Sequence, residues 1–322
     1  YFTAFKWTGN GASSRALTGV GFQGNMLWSK PNTGHNHYLV DTVRGVDNKS
    51  LIPDATTAED TTGTHGHFDS IDADGFTGTL ASGGYNFNRN ALEFIAWIWK
   101  EEAGVMDIVT YTGNGSNRTI AHNLGVKPAV MIHKGRSNAY NWGVYHHALS
   151  PSNERSLNFN TTGAVNVDDG GVYYNSTDPT SSVFSLGTNV GYNANNATYV
   201  AYLFAEKQGY SKFGTYTGNG NADGNFIYTG FKPAFIMIKR TDAAADWEMY
   251  DNKRDGFNDD NPPLYANTTG AEGSNDRIDI LSNGFKIRAS SGNLNASGGT
   301  YIYMAFAENP FVTSTGVPAT AR

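Results

Sequence analysis

One short stretch occurs three times in this 322-residue chain, as Lys6-Trp7-Thr8-Gly9-Asn10-Gly11, Thr110-Tyr111-Thr112-Gly113-Asn114-Gly115 and Thr215-Tyr216-Thr217-Gly218-Asn219-Gly220. Thr8, Thr112 and Thr217 stand 104 and then 105 residues apart. A recurrence at fixed spacing constrains the architecture before any strand or helix is assigned, because each copy must be one structural unit. Further landmarks follow in the same order. They are a glycine (Gly21, Gly125, Gly230), an apolar run ending in Lys30, Lys134 or Lys239, and an aromatic segment ending in Asp41, His146 or Asp251. Each copy then closes on an aromatic run, at residues 94–101, 199–206 and 301–308. The expected units are residues 1–106, 107–210 and 211–311, with a polar tail at 312–322.

About 100 residues suffice for an independent core. Charged residues make up only 16% of the chain, while glycine is abundant at 38. That composition favours strands and loops over a helical enzyme scaffold. The segment 90–99 contains Ala91, Leu92 and Glu93 and resembles a helix, but its counterparts are aromatic and β-branched, so it is read as a buried central strand. Ser282-Asn283-Gly284-Phe285 reads as a hairpin in which Asn-Gly supplies positive φ. The fold class is therefore all-β, with three tandem antiparallel β-sandwiches of jelly-roll or lectin-like type. They pack around a pseudo-threefold axis or string out as beads. The connection at 207–212 is too short for a free linker, so neighbouring units are expected to touch.

With no cysteine there is neither a disulfide nor a thiol nucleophile. A net charge of −6 without a Lys/Arg cluster argues against nucleic acid, and no apolar run reaches the length of a membrane span. The chain begins at Tyr1 rather than Met and is expected to be a processed piece of something longer.

Chemistry has few candidates. His35, His37, His65 and His67 form two His-x-His pairs that could converge on a metal, or two polar loops. Asp72-Ala73-Asp74-Gly75 lacks the glutamate of an EF-hand and reads as a turn, whereas Asp255 and Asp259 lie in a dense acidic loop suited either to calcium or to solvent. Hydrolysis of a glycoside needs two facing carboxylates. The recurrent acids are Glu101, Glu206 and Glu308, with Asp41 and Asp251 matched by His146, and these do not make a pair. Asp41-x-x-Arg44 and Asp251-x-x-Arg254 read as local ion pairs. No nucleophile elbow or phosphate loop is present. A ligand-binding surface remains: Trp142, Tyr145 and His146, with Trp247, Tyr250 and Asp251, could stack on sugar rings and make polar contacts, or the aromatics could be sandwich core. No cofactor is expected beyond calcium.

Tyr-Thr-Gly-Asn-Gly, Gly-Phe-Lys-Pro-Ala-Phe-Ile-Met-Ile-Lys-Arg and Tyr-Ile-Tyr-Met-Ala-Phe-Ala-Glu-Asn-Pro-Phe resemble a repeat domain of unknown function found in virion proteins of tailed phages, notably marine ones. Many of these are tail-fibre-like. The sandwich is also similar in type to concanavalin-like lectins. The resemblance implies a non-enzymatic virion-surface protein, outside the cell, that attaches to host polysaccharide or to other virion proteins as a trimer or higher oligomer. A cement protein without ligand, a capsule depolymerase and a bacterial adhesin are the alternatives.

Overall fold

The computed structural model describes residues 1–63, 67–80, 87–168, 170–254, 258 and 261–308. Among the described residues the protein is all-β, with antiparallel sheets, two one-turn α-helices, Val190–Asn193 and Gly292–Asn295, and a 3-10 turn at Ser152–Glu154. The sequence does not announce these helices, because Asn189 and Ser291 cap turns too short to show a helical period.

One strand order occurs in each third. The opening strand (Phe2–Thr8, Met106–Thr112, Ser211–Thr217) lies at an edge and pairs with the closing strand (Glu93–Trp99, Thr198–Phe204, Thr300–Phe306). The closing strand pairs on its other side with the inner strand (Met26–Pro31, Val130–Gly135, Phe235–Arg240), and this in turn with the fourth (Tyr38–Asp41, Gly143–His146, Trp247–Asp251). The closing strands are buried over nearly their whole length, as their two-sided apolar pattern predicts. Met106 already belongs to the second third's opening strand, one residue before the expected boundary. A smaller sheet accompanies each large one: Ser14–Thr18 with Gly75–Thr79 and His67–Asp72, then Arg118–Ala121 with Val183–Leu186, then Phe226–Tyr228 with Gly284–Ile287 and Ile278–Leu281.

Burial separates four cores. Three are local, one to each third. The fourth takes residues from all thirds, including Trp97 and Trp99, Tyr202 and Phe204, and Met304 and Phe306. Trp99, Phe204 and Phe306 hold matching places in the closing strands, and their rings meet one another at 6.1, 5.6 and 5.6 Å. Alternation along the closing strand explains this, since Phe94, Ala96 and Ile98 face the local core while Ile95, Trp97 and Trp99 face the common one. An apolar void of about 20 Å³ lies in the common core, with Trp28, Trp99, Phe204 and Met304 among its lining residues.

The recurring Thr-Gly-Asn-Gly is a turn pinned by a buried asparagine. Asn88, Asn193 and Asn295 accept from the backbone N–H of Asn10, Asn114 and Asn219 at 3.1, 3.0 and 2.8 Å. Its two glycines do different things. A Cβ at Gly113 would stand 2.2 Å from Ala194 O, so the first glycine permits close approach, while Gly115 has φ +71. Gly115→Ala should therefore cost about 1 kcal/mol, and Gly115→Asn, which tolerates the left-handed region, less. Urea midpoints of the two variants check this ranking.

The hairpin at 278–287 forms as expected, but its physical reason is different. Neither Asn283 nor Gly284 has positive φ. Ser282 and Asn283 make the loop, and Gly284 starts the returning strand, where a Cβ would lie 2.1 Å from Ile227 O. The glycine is required by a cross-strand approach. Asp74-Gly75 is likewise a turn between strands.

Candidate functional site

The six residues expected to bind ligand are interior. Trp142, Tyr145, His146, Trp247, Tyr250 and Asp251 are at most 4% exposed. No ligand can stack on them, and the reason is that they join the thirds of the chain or fill its cores. Trp142 Nε1 donates to Ile52 O at 3.0 Å and Trp247 Nε1 to Asn158 O at 3.1 Å. His37, 105 residues before Trp142, holds the matching place and sets Nε2 2.9 Å from Tyr265 O. The second third thus reaches the first, the third reaches the second, and the first reaches the third.

The buried lysines follow the same cycle. Nζ of Lys30, Lys134 and Lys239 donates across to Thr269 O, Thr56 O and Thr162 O at 3.2, 3.0 and 3.0 Å. Burial pushes each ammonium down to about 8. Three backbone bonds run alongside, Glu59 N to Arg136 O, Val165 N to Thr241 O and Glu272 N to Asn32 O.

The exchange of Asp41 and Asp251 for His146 has a local cause. Tyr202 donates its hydroxyl to Asp41 Oδ2 at 2.7 Å, and Trp97 Nε1 donates to Asp251 Oδ2 at 3.2 Å. The corresponding closing-strand residue in the last third is Met304, which has no proton to give. There the second third carries His146, whose Nε2 lies 3.2 Å from Tyr303 O. Each aspartate is also paired with the arginine three residues on, at 2.5 Å for Arg44 and 2.7 Å for Arg254.

The recurrent glutamates end the closing strands and tie the next opening strand. Glu101 accepts from Ile108 N at 3.1 Å, Glu206 from Phe213 N at 3.0 Å, and Glu308 from Thr3 Oγ1 at 2.9 Å. Burial, then the adjoining Asp107 and Asp41 carboxylates, push the Glu101 carboxyl up to about 7 against the pull of the Ile108 N–H. Asp107 is 5% exposed and its Oδ2 is already taken by Asn123 N.

A surface groove of about 560 Å³ runs along the opening edge strand, lined by residues 1–6 and 19–22 together with Lys253 and Glu308. Among the described residues that line it, the one carboxylate is Glu308. Burial opposes ionisation there, yet hydrogen bonds from Lys253, Asn252 and Thr3 hold the group below its usual range. A single ion-paired carboxylate supplies neither a general acid nor a base.

The histidine pairs do not form a four-histidine centre among the described residues. His37 is neutral, driven down by burial, and both ring nitrogens are taken, Nδ1 by Trp28 Nε1 at 3.0 Å and Nε2 by Tyr265 O. His35 is driven down by burial and by Lys30. His67 instead meets two carboxylates, with Nε2 2.8 Å from Asp69 Oδ1 and 3.4 Å from Asp47 Oδ1. These three offer ligand atoms within 4.8 Å of one another. An imidazole with two carboxylates can hold a divalent cation, and equally makes a surface ion triad, with Asp47 67% exposed. His65, Asp255 and Asp259 lie outside the described residues.

A family model described as a domain of unknown function (DUF7483) matches residues 1–310. No curated protein and no solved structure matches the chain.

Proposed function

The chain belongs to the DUF7483 family, a domain of unknown function, and from that premise we propose that it is a non-catalytic surface module of a tailed-phage virion that attaches to host glycans. In this reading the thirds are three β-sandwich units, residues 1–106, 107–210 and 211–311, closed around a pseudo-threefold axis. One observation supports it above the rest: the polar landmarks that recur in the sequence face inward and join one third to another. A repeat preserved for its joints is a rigid platform, and what such a platform offers a partner is its surface. The described residues hold no water-spaced carboxylate pair in the groove, which favours binding over depolymerisation. A body of this shape is suited to the end of a fibre or spike, where several copies raise a weak affinity through avidity.

Two measurements test this. Cross-linking mass spectrometry of intact particles should map the chain to the outside of the tail or its appendages, and the purified chain should retain host envelope polysaccharide in a pull-down. An inner, interlocked position in the particle with no glycan retained would replace this reading with a cement protein.

A further inference from the structure

The strand Phe226–Tyr228 carries two large aromatic side chains on the outside of the protein. Phe226 is 46% and Tyr228 63% exposed, while Ile227 between them is buried in the local core. Alternation along a strand puts both rings on one face, about 7 Å apart at two residues' rise. The strand is the edge of the sheet, and the neighbouring strand sets Lys286 opposite Phe226 and Gly284 opposite Tyr228.

Gly284 answers first to the backbone: a Cβ there would fall 2.1 Å from Ile227 O, and 2.9 Å from the Phe226 ring.

The fold does not ask for aromatics here. The strands in the same place in the other thirds bury Leu17 and Ile120, as this one buries Ile227, and flank them with exposed Ala16 and Thr18, and exposed Thr119 and Ala121. Small residues satisfy the position twice. Two exposed rings in the third case hold apolar surface against water with no return in packing.

Beside the rings runs a row of charges. Lys286 pairs with Asp223 at 2.8 Å, and Arg288 with Asp279 at 2.5 Å and Asp223 at 3.6 Å. Two cations and two anions cancel, so the row offers donors and acceptors without a net field. That complements a hydroxylated neutral chain and does not attract a polyanion.

We infer that the outward face of Phe226 and Tyr228, with Lys286, Arg288, Asp223 and Asp279 alongside, is a stacking platform for a neutral polysaccharide. The apolar C–H faces of successive pyranose rings lie on the two aromatic rings, and the ring hydroxyls reach the charged row. This rests on the glycan-attachment reading above and names the ligand class and the residues that carry it.

The test uses the full chain, with cellulose, chitin and starch granules and soluble neutral glucans in affinity electrophoresis as probes. Wild type should bind at least one of them. Phe226→Ala and Tyr228→Ala should each weaken it by about tenfold, the scale of one aromatic stacking contact, and Tyr228→Trp should keep binding at the wild-type level. Both side chains are exposed, so circular dichroism and urea midpoints should stay at the wild-type values. Undiminished binding by the double alanine variant overturns the platform and leaves the glycan reading standing. Wild-type binding to none of the probes overturns the platform, while retention of host envelope polysaccharide in the pull-down decides the glycan reading separately. Self-association of wild type in sedimentation that the double variant abolishes would make this face a contact between copies and would also overturn the platform.

Discussion

Asp41→Ala should destabilise the protein by about 3–5 kcal/mol, the scale of leaving one partner of a buried ion pair behind. The Asp41 and Arg44 side chains are fully buried. Asp41 accepts from the Arg44 backbone N–H at 2.8 Å, from Arg44 Nε at 2.5 Å and from the Tyr202 hydroxyl at 2.7 Å. Removing it leaves the guanidinium with Glu59, at 2.7 Å, as its remaining carboxylate. It also leaves the Tyr202 hydroxyl without an acceptor inside the joint between the first and second thirds. Asp251→Ala should do comparable damage between the third and first, since Arg254 and Trp97 lose the same acceptor there. His146→Ala, at the matching position, leaves no charge behind and should cost about half as much, chiefly a cavity and one hydrogen bond. The double variant Asp41→Leu/Arg44→Met should recover much of the single loss, because it removes both charges together. Urea unfolding of these four variants and of Arg44→Met reads these differences. If Asp41→Ala cost under about 1 kcal/mol and added simply to Arg44→Met, the joint would not be held by this pair.

What the sequence disclosed and what it hid follow from the range of each interaction. The closing strands were legible because a short run that is apolar on both faces escapes water only between two layers. The ion pairs Asp41–Arg44 and Asp251–Arg254 were legible because three residues is a local spacing. The donors that complete them were not, since Tyr202 lies 161 residues from Asp41 and Trp97 154 from Asp251. A contact at that distance has no local signature. Only a comparison of Trp97, Tyr202 and Met304 against Asp251, Asp41 and His146 shows the donor and the acceptor changing together.

The same blindness put buried aromatics forward as a ligand surface. Trp142 and Trp247 look like sugar-stacking residues when only their neighbours in the chain are known, and are interior once Ile52 and Asn158 are seen to receive their N–H groups. Phe226 and Tyr228 carried a usable signal, because the corresponding strands have alanine and threonine. That strand has no shared motif, however, and the loop before it differs in length between thirds. The glycines misled in a smaller way. Gly284 sits in a dipeptide associated with positive φ, and its actual reason is a carbonyl on the neighbouring strand.

His133→Ile should stabilise the protein and remove part of its sensitivity to acid. His133 is fully buried among Tyr192, Phe184 and Tyr174, with ring centroids at 5.1, 5.4 and 6.0 Å. Neither ring nitrogen has a hydrogen-bond partner among the described residues. The matching residue of the last third is Ile238, so the position accepts a branched apolar side chain. Removing a desolvated, unpaired imidazole should raise stability by about 1–3 kcal/mol at pH 7. The gain should grow as the pH falls. Burial pushes His133 down to about 3 in the folded protein from an ordinary 6.5. His146 is pushed to about 3 by burial and by His147, and His37 well below 6.5 by burial and Lys30. Between about 3 and 6.5 His133 and His146 are protonated when unfolded and neutral when folded, so acid favours unfolding and stability is lost as the pH drops through that window. Each such histidine removes up to ~1.4 kcal/mol per pH unit, or about 2 kcal/mol from pH 6.5 to 5. Glu101, Asp54 and Glu248 work in the opposite direction, because burial raises their carboxyls and the folded state holds their protons longer. The difference between wild type and His133→Ile cancels these opposing groups. Urea unfolding free energies at pH 7, 6 and 5 should show the advantage of the variant widening by about 2 kcal/mol. An advantage constant across that range would mean that His133 is protonated inside the folded core.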